Sequence, residues 1–306
     1  MMTEAFFHLT AARSILTVAG EDRQAFLQGL VSNDVRRAGP DQAIYAAFLT
    51  PQGKFLHDLF IAEIDGRLAI DCEAARRADL LKRLTMFKLR SKVAIADADA
   101  DWTSAVLFGA AALDRLGLAG RPAGAATAFA GGIAFVDPRL AALGARAILP
   151  RASAAASLGA AGFAPGSAEA YDRLRLSQGV ADGSRDLLPE KAILLENGFD
   201  ELNGVDWQKG CYLGQELTAR TKYRGLVRKR LLPVAIDGGA PAFGTPLMLG
   251  DQEAGEMRSA AADGSQGLAM IRIEHLARAR TEGLQAGGAR LTPRLPDWVK
   301  LPEAAG

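Results

Sequence analysis

Three apolar segments joined by very short turns limit the fold of this chain more than any other feature. Residues 43–50 (AIYAAFLT), 55–64 (FLHDLFIAEI) and 67–72 (RLAIDC) are rich in the residues that favour strands. They are joined by PQGK and by the pair Asp65-Gly66, which favours a tight hairpin turn. Because connections this short can join only antiparallel neighbours, these residues predict an antiparallel sheet.

Helices and further strands flank this sheet in the sequence. Between Glu73 and Leu89, leucines and Phe87 recur among Arg and Lys at helical spacing, which predicts an amphipathic helix. Alanine and glycine dominate from about residue 110 to 165, where the hydrophobic period is too weak to place elements. The remaining predicted elements in this half are strands over 12–19 and 91–98 and helices over 21–30 and 168–178.

The C-terminal part has short strand candidates separated by Gly, Pro and Asp. This spacing predicts a small antiparallel barrel or sheet domain. The candidates are LVRKRLLPVAI (226–236), GTPLML (244–249), EAGEMRSAAA (253–262) and GLAMIRIEHL (267–276).

Composition and charge exclude several classes of protein. The chain has 49% hydrophobic and 23% charged residues with a formal net charge of +1, which implies no global attraction to nucleic acid or membrane. No apolar run approaches the roughly 20 residues that span a bilayer, and the first residues lack the features of a signal peptide. We therefore expect a cytoplasmic protein without a membrane partner.

Two cysteines and three histidines limit the metal chemistry that the chain could perform alone. Cys72 and Cys211 are far apart in the sequence, and in a reducing compartment both are expected to be free thiols. The histidines are scattered, so no structural zinc spacing is present, and two cysteines cannot supply the four thiolates of an ordinary iron-sulfur cluster. We expect no permanently bound metal, and any iron-sulfur chemistry to concern the clusters of other proteins.

Cys211 lies in WQKGCYLGQELTAR (207–220), a segment with few aliphatic side chains against which a thiol could pack. Thiols react and bind metals as thiolates, which a nearby cation or a helix N-terminus favours. Lys209 is the candidate cation, and YLGQELTART predicts a short helix. A metal ligand, a nucleophile, a redox thiol and a merely packed thiol all remain open. Cys72 ends an apolar strand pattern and is expected to pack in a core.

Positive charge is concentrated just after Cys211. Seven basic residues and one acid, Glu216, lie between Trp207 and Arg230. Such a concentration suits a polyanionic ligand or an acidic protein surface, but it is also typical of a solvated strand edge. It leaves open an RNA-binding or protein-binding module. Because Tyr223 is the only aromatic residue within its most basic part, residues 220–230, we expect no stable nucleic-acid binding.

The octapeptide KGCYLGQE (209–216) resembles the K-G-C-[YF]-x-G-Q-E signature of the YgfZ-type proteins. These are folate-binding factors for iron-sulfur cluster assembly and repair, within a superfamily that includes the glycine-cleavage T-protein, an aminomethyltransferase that uses tetrahydrofolate. Further segments similar to the family, in the same order, are FLQGLVSNDV (26–35), YAAFLTPQGKFLHDLF (45–60), LRSKVAIAD (89–97), LRLSQGVADGSRDLLPE (174–190) and ELTARTKYRGLVRKRLLPV (216–234).

This resemblance implies an α+β fold of the glycine-cleavage T-protein type. That fold has three subdomains in a ring, with folate in the central channel and a C-terminal antiparallel β-barrel. On this basis we expect the first α+β part of the folate-binding domain over residues 1–100. A second part with the KGCYLGQE motif is expected over 101–225, and the barrel over 226–306.

The chain departs from the transferase at acidic positions. It has His57 and Asp58 where the transferase usually has a pair of aspartates, and Ser177 where an acidic residue is usual. It also has Cys211, which the transferase lacks. Because aminomethyl transfer needs a carboxylate near the reacting amine, we expect a maturation factor with little or no catalytic turnover. A folate-dependent one-carbon transferase is the alternative.

The resemblance therefore implies a tetrahydrofolate-binding factor that supports assembly or repair of [4Fe-4S] clusters in client enzymes, with cluster-assembly proteins as partners. Cys211 would supply the working thiolate, and Lys209 would favour its ionisation. The residues expected to shape this site are Gly210, Tyr212, Gly214, Gln215, Glu216 and Arg220. The residues expected to bind a tetrahydrofolate derivative are Asn33, Asp58, Glu190 and Arg228.

Overall fold

Two units make up the chain in a computed structural model, which describes residues 4–301. The first unit comprises residues 4–51, Leu56–Tyr171 and Leu202–Gln215, and the second comprises Gln52–Phe55, Asp172–Glu201 and residues 216–301. Cys211 belongs to the first unit. The division into three parts over 1–100, 101–225 and 226–306 stays a prediction.

Strands and helices follow one another in both halves of the chain. The elements up to residue 165 are β1 (Phe6–Leu9), β2 (Arg13–Ala19), α1 (Arg23–Gln28), β3 (Ile44–Leu49), β4 (Phe55–Ile64), β5 (Arg67–Glu73), α2 (Arg77–Lys88), β6 (Ala94–Asp97), β7 (Trp102–Phe108), α3 (Ala112–Arg115), β8 (Ala126–Phe129), β9 (Gly132–Val136), β10 (Ala145–Pro150), α4 (Ala154–Ala160) and β11 (Ala164–Pro165). Those that follow are α5 (Ala168–Ser177), α6 (Gly183–Asp186), α7 (Gln215–Tyr223), β12 (Lys229–Asp237), β13 (Pro246–Leu249), β14 (Gln252–Ala260), β15 (Gln266–Arg272), α8 (Ile273–Glu282), β16 (Leu284–Ala286) and β17 (Ala289–Pro293).

The antiparallel sheet that the short turns predict is present in the first unit. Its five strands have the order β3-β4-β5-β2-β6. Asp65 and Gly66 have φ angles of 49° and 70°, the left-handed conformation that a two-residue hairpin turn requires. This turn sets the register of β4 against β5, in which Ile64 faces Arg67.

Helices α1 and α2 cover one face of this sheet. Both lie within the spans predicted for them, and α2 begins only at Arg77 because Ala74–Arg76 forms a 3-10 turn. Leu80 and Leu84 of α2 are buried in one hydrophobic core with Phe26 and Leu27 of α1. This core is the platform on which the segment around Cys211 rests.

The alanine-rich stretch forms much of a second sheet in the first unit. Its six strands have the order β11-β1-β7-β10-β9-β8. Small residues allow the strands to pack closely: a Cβ added at Gly132 would lie 2.1 Å from the carbonyl oxygen of Ile148. Several of the alanines that hide the hydrophobic period, such as Ala134, Ala145 and Ala147, lie in the core that this sheet covers.

Strands β12 to β17 close into an antiparallel barrel in the second unit, with the order β12-β15-β14-β13-β16-β17. The predicted C-terminal barrel is confirmed. The strand predicted over 267–276 was too long, because Ile273–Glu282 forms α8, which buries Leu276 and Ala279. Apolar spacing over four residues cannot distinguish a strand end from the first turn of a helix.

Candidate functional site

Cys211 is exposed and carries a free thiol, in an irregular segment that ends where α7 begins at Gln215. The other cysteine, Cys72, is buried. Cys72 is 0% exposed within the core beneath α2, and burial raises the pKa of its thiol to about 12. Both predictions, two free thiols and a packed Cys72, are confirmed. Only Cys211 is open to a reagent or a partner.

Lys209 fixes the segment on one side of Cys211. Its side chain is buried, and its Nζ donates to the carbonyl oxygens of Gln28 at 2.7 Å and Val31 at 2.5 Å. The Gln28 side-chain amide in turn donates to the Lys209 carbonyl at 3.2 Å. These bonds attach the segment to the C-terminal end of α1.

A second attachment lies on the other side of Cys211. The backbone N–H of Leu213 donates to the carbonyl oxygen of Gly29 at 3.0 Å, and the Leu213 side chain packs against the core that α1 and α2 share. Cys211 is thus at the tip of a short segment held at both ends, which presents its thiol outward in a fixed place.

The charge of Lys209 is held within the protein. Burial lowers the pKa of Lys209 to about 8, with Asp34 and Asp206 acting in the opposite direction, so the ammonium form is the main one at pH 7. Its Nζ also lies 4.9 Å from the ring centroid of Tyr212. Lys209 therefore has a structural function that the sequence did not reveal, and its expected effect on Cys211 stays a prediction.

The glycines and Gln215 shape the backbone around the thiol. Gly210 and Gly214 have φ angles of 93° and 79°, which favour glycine. A Cβ at Gly210 would contact nothing within 4 Å, so its backbone conformation, not space, requires glycine. The side-chain oxygen of Gln215 accepts from the N–H of Tyr212 at 3.1 Å, which ties the first residue of α7 to the preceding turn.

The basic run after Cys211 is less available than its composition indicates. Lys209 is buried, Arg220 pairs with Glu216 at 2.7 Å along α7, and Lys222 pairs with Asp200 at 2.7 Å. Arg230 is buried as well, and it donates to Glu201. Four of the seven cations therefore have partners, which weakens the case for a polyanion site.

Asn33, a predicted folate residue, is 3% exposed and fully engaged. Its side-chain amide donates to the carbonyl oxygens of Tyr45 and Asn203, both at 2.7 Å, and its Oδ1 accepts from the N–H of Asp34. The bond to Asn203 holds the chain just before the site segment, and because the amide is fully used within the protein, it does not fit a ligand contact.

Asp58, the second buried candidate, belongs to an ion-pair network inside the first unit. Both of its carboxylate oxygens accept from Arg13, at 2.9 and 3.1 Å. Arg13 also donates to Asp71 at 2.6 Å, and Arg146 donates to Asp71 at 2.9 Å while its guanidinium carbon lies 3.8 Å from the Phe60 ring centroid. Burial would raise the pKa of Asp71, but Arg13 and Arg146 hold it below its ordinary value. Asp58 does not fit a folate contact either, because it is 1% exposed and paired.

The sequence did not predict this network, although a signal was present. Asp71 and Arg146 lie within largely apolar strands and Arg13 begins another, and a charge in such a place is costly unless it is paired. The other two folate candidates, Glu190 and Arg228, are exposed. None of the four is tested as a ligand contact, and Glu190 and Arg228 stay the favoured predictions because Asn33 and Asp58 are buried and paired within the protein.

His57 does not form an acid-base pair with Asp58. The two are neighbours in β4, and neighbouring side chains of a strand point to opposite faces. The Nε2 of His57 lies 3.0 Å from Asp79 on α2. Burial lowers the pKa of His57 to about 4, so it is neutral at pH 7.

Within residues 4–301, no group of three or more His, Cys, Asp or Glu side chains could hold a metal ion. A cluster bound at Cys211 would therefore need ligands from another molecule.

No helix within residues 4–301 is long and apolar enough to cross a membrane.

Comparison with known proteins adds relatives along almost the whole chain. A family model described as "CAF17, C-terminal beta-barrel domain" matches residues 228–301. The human protein named "Iron-sulfur cluster assembly factor IBA57, mitochondrial" is 34% identical over 316 residues, covering 94% of this chain and 83% of that protein. The protein named "Iron-sulfur cluster assembly factor IBA57 homolog, mitochondrial" from Mycosarcoma maydis is 35% identical over 242 residues, 73% of this chain. The chain spans about half the length of the fungal relatives, 55% for Mycosarcoma maydis and 54% for Neurospora crassa.

Among solved structures, the aminomethyltransferase T of the glycine cleavage system from Bartonella henselae matches 97% of this chain and 87% of its own. The TM-score is 0.76 at 15% sequence identity, so the likeness concerns the fold alone. The predicted T-protein type of fold is confirmed. The expected cytoplasmic location is wrong by these comparisons, because the IBA57 relatives are named as mitochondrial proteins. The narrower YgfZ type is not confirmed and stays a prediction.

Proposed function

This chain belongs to the IBA57 family of iron-sulfur cluster assembly factors, and on that premise we propose that it supports cluster assembly with the thiolate of Cys211 as a transient iron ligand. The single observation that supports this role is the exposure of Cys211 on a segment fixed on both sides. A thiolate that binds an iron atom held by another protein must be exposed to that protein and fixed in position.

The cluster is cargo in this proposal. Since residues 4–301 contain no other group of metal ligands, Cys211 supplies one ligand and the partner supplies the rest. As the sulfur-iron bond forms, the thiol releases its proton to solvent, and the iron loses a ligand that the thiolate replaces. No electron is transferred in this ligand exchange. The sulfur then leaves when the client protein, a [4Fe-4S] enzyme, provides its own ligand.

Metal ligation suits the observed site better than redox chemistry within this chain. A dithiol couple would need a second accessible thiol, and the only other cysteine, Cys72, is sealed in the core with a strongly raised pKa.

Binding of a tetrahydrofolate derivative is a separate proposal that rests on the family resemblance. Asn33 and Asp58 do not fit as contacts, so no step is derived through this cofactor. Titration of the full chain with 5-formyltetrahydrofolate tests it by calorimetry. Saturable binding that Asn33→Ala leaves unchanged is expected, and the absence of any binding would remove folate from the function.

Aminomethyl transfer is disfavoured by the same geometry. Asp58 lies where the transferase usually has an aspartate, but its carboxylate is paired with Arg13. Ser177 stands where the transferase usually has an acidic residue, and its hydroxyl donates to the carbonyl oxygen of Leu174 at 2.7 Å. Neither side chain is placed to steady positive charge on a reacting amine.

The test compares Cys211→Ser with Cys72→Ala in cells that lack the native protein. We expect Cys211→Ser to leave the activity of a [4Fe-4S]-dependent enzyme at the level of the deletion, and Cys72→Ala to restore it. Circular dichroism and a thermal unfolding curve establish that both variants fold. Full restoration by folded Cys211→Ser would exclude the thiol from the mechanism.

A further inference from the structure

The C-terminal end of α2 exposes three large apolar side chains. Met86, Phe87 and Leu89 are 68%, 40% and 86% exposed. Leu80 and Leu84 pack α2 on its core side, so Met86 and Leu89 are not needed to hold the helix in place. Exposed apolar side chains next to one another are typical of a protein interface. Met86, Phe87 and Leu89 are called the α2 patch below.

Leu89 is also held in an unfavourable backbone conformation. Its φ is 41° and its ψ is −112°, a region that residues with a Cβ rarely occupy and that glycine adopts readily. A depression of about 590 Å³ beside it is lined by Asp22, Leu89, Arg90 and Ser91. A strained and exposed leucine next to a hollow is a candidate contact residue, because strain of this kind persists mainly at functional sites.

The α2 patch is connected to the cysteine segment through direct contacts in the first unit. The Phe87 ring packs edge-on against Phe48, with 6.1 Å between ring centroids. Phe48 forms a β-bridge with Val31, whose carbonyl oxygen accepts from Lys209. One continuous set of packed residues therefore supports both the patch and the segment that carries Cys211.

Basic residues flank the patch along the chain, and the carboxylate of Asp22 in the adjoining hollow accepts from the backbone N–H of Lys92 at 2.7 Å. Lys82 and Arg90 are exposed, Lys88 is partly exposed, and none of the three has an ion pair among residues 4–301. The nearby acid Glu21 already pairs with Lys92 at 3.2 Å. An apolar centre with a basic rim fits a surface with an apolar centre and an acidic rim. A second copy of this chain would instead bring like charges together.

We infer that the α2 patch with its basic rim is the docking surface for the protein that exchanges a cluster with Cys211. The occupant is an acidic iron-sulfur protein whose apolar side chains cover Met86 and Leu89. This inference rests on the proposed function of Cys211. It adds the location of the surface and the charge of the partner.

The first experiment places a photocrosslinker in the full chain in living cells, as Leu89→p-benzoylphenylalanine. The matched control is Phe243→p-benzoylphenylalanine, at a barrel residue that is 49% exposed. We expect position 89 alone to capture a protein that mass spectrometry identifies as an acidic iron-sulfur protein. Capture of a second copy, of RNA or of a basic protein, or equal capture at both positions, overturns the inference.

The second experiment measures the affinity of the captured protein, purified with its cluster, for purified variants. The double variant Lys88→Glu with Arg90→Glu is expected to bind at least about tenfold more weakly, and Leu89→Asp similarly. Affinity for the wild-type chain is expected to fall as salt rises from about 0.05 to about 0.5 M. Unchanged affinity of both variants overturns the inference.

Failure of the surface and failure of the thiol give different results. Cys211→Ser should bind the partner within about twofold of wild type and still fail to restore the cluster enzyme. If Leu89→Asp restores the activity of that enzyme fully while Cys211→Ser does not, the proposed docking surface is overturned and the proposed function of the Cys211 thiolate is supported. If Cys211→Ser restores that activity while folded Leu89→Asp does not, the proposed function of the thiolate is overturned and the docking surface is supported.

Discussion

The Nζ of Lys209 lies 2.7 Å from the carbonyl oxygen of Gln28, the last residue of α1, although 181 positions separate the two residues in the chain. This bond and its neighbour to Val31 make Lys209 an anchor for the loop that presents Cys211. The lysine two positions before the cysteine thus fixes where the thiol is.

Lys209→Met should destabilise the protein, because two buried carbonyl oxygens lose a charged donor. We expect the free energy of unfolding to fall by about 2 kcal/mol, measured by urea denaturation. Lys222→Met is the control: its ion pair with Asp200 is partly exposed, and we expect a loss below about 1 kcal/mol. Equal unfolding midpoints for Lys209→Met and wild type would contradict the anchoring function.

Asp58→Asn should cost stability rather than remove a reacting group. The change leaves Arg13 with only one of its two buried carboxylate partners, and we expect a loss of about 3 kcal/mol by urea denaturation. Glu216→Gln breaks the exposed pair with Arg220 and should change the free energy of unfolding by less than about 0.5 kcal/mol. An Asp58→Asn protein with the same free energy of unfolding as wild type would show that Asp58 has no structural function.

Stability should decline in acid through His57. Burial lowers its pKa to about 4 in the folded protein, below the value of about 6.5 in an unfolded chain. Between these two pH values the unfolded state binds more protons, so the stabilising contribution is complete above about pH 6.5 and is lost as the pH falls towards 4.

The loss that His57 contributes between pH 7 and pH 4.5 should be about 2 kcal/mol. His57→Gln removes the titrating group, so its unfolding free energy should decline less over the same pH range. Urea denaturation of both proteins at the two pH values measures the difference. Parallel declines would mean that His57 does not titrate in this range.

Leu89→Gly should stabilise the protein while it weakens function. Glycine relieves the positive φ of this residue, and we expect a gain of about 1 kcal/mol in thermal unfolding. The matched control is Met86→Gly, which places glycine inside α2 and should lose about 1 kcal/mol. A Leu89→Gly protein less stable than wild type would mean that the strain is absent or is compensated by contacts of the side chain.

Several features could be predicted from the sequence because they depend on neighbours in the chain. The Asp65-Gly66 hairpin follows from the backbone angles that these two residues tolerate. The helical spacing of Leu80 and Leu84 predicts α2, and YLGQELTART predicts the short helix α7 that follows Cys211.

Other features could not be predicted in this way. The strands of the alanine-rich stretch give almost no periodic signal, because alanine occupies both buried and exposed positions and so blurs the alternation of a strand. The first residues of α8 have apolar spacing over only four positions, which fits a strand end as well as the first turn of a helix.

The sequence by itself determined the type of fold, the C-terminal barrel and the cysteine that carries the proposed function. Only the tertiary structure decided that Lys209 binds the end of α1, that Asp58 is paired with Arg13, and that the end of α2 is exposed. The physical reason is that turns and periodic faces are set by residues a few positions apart. A buried charge finds its partner among residues that only the folded chain brings together.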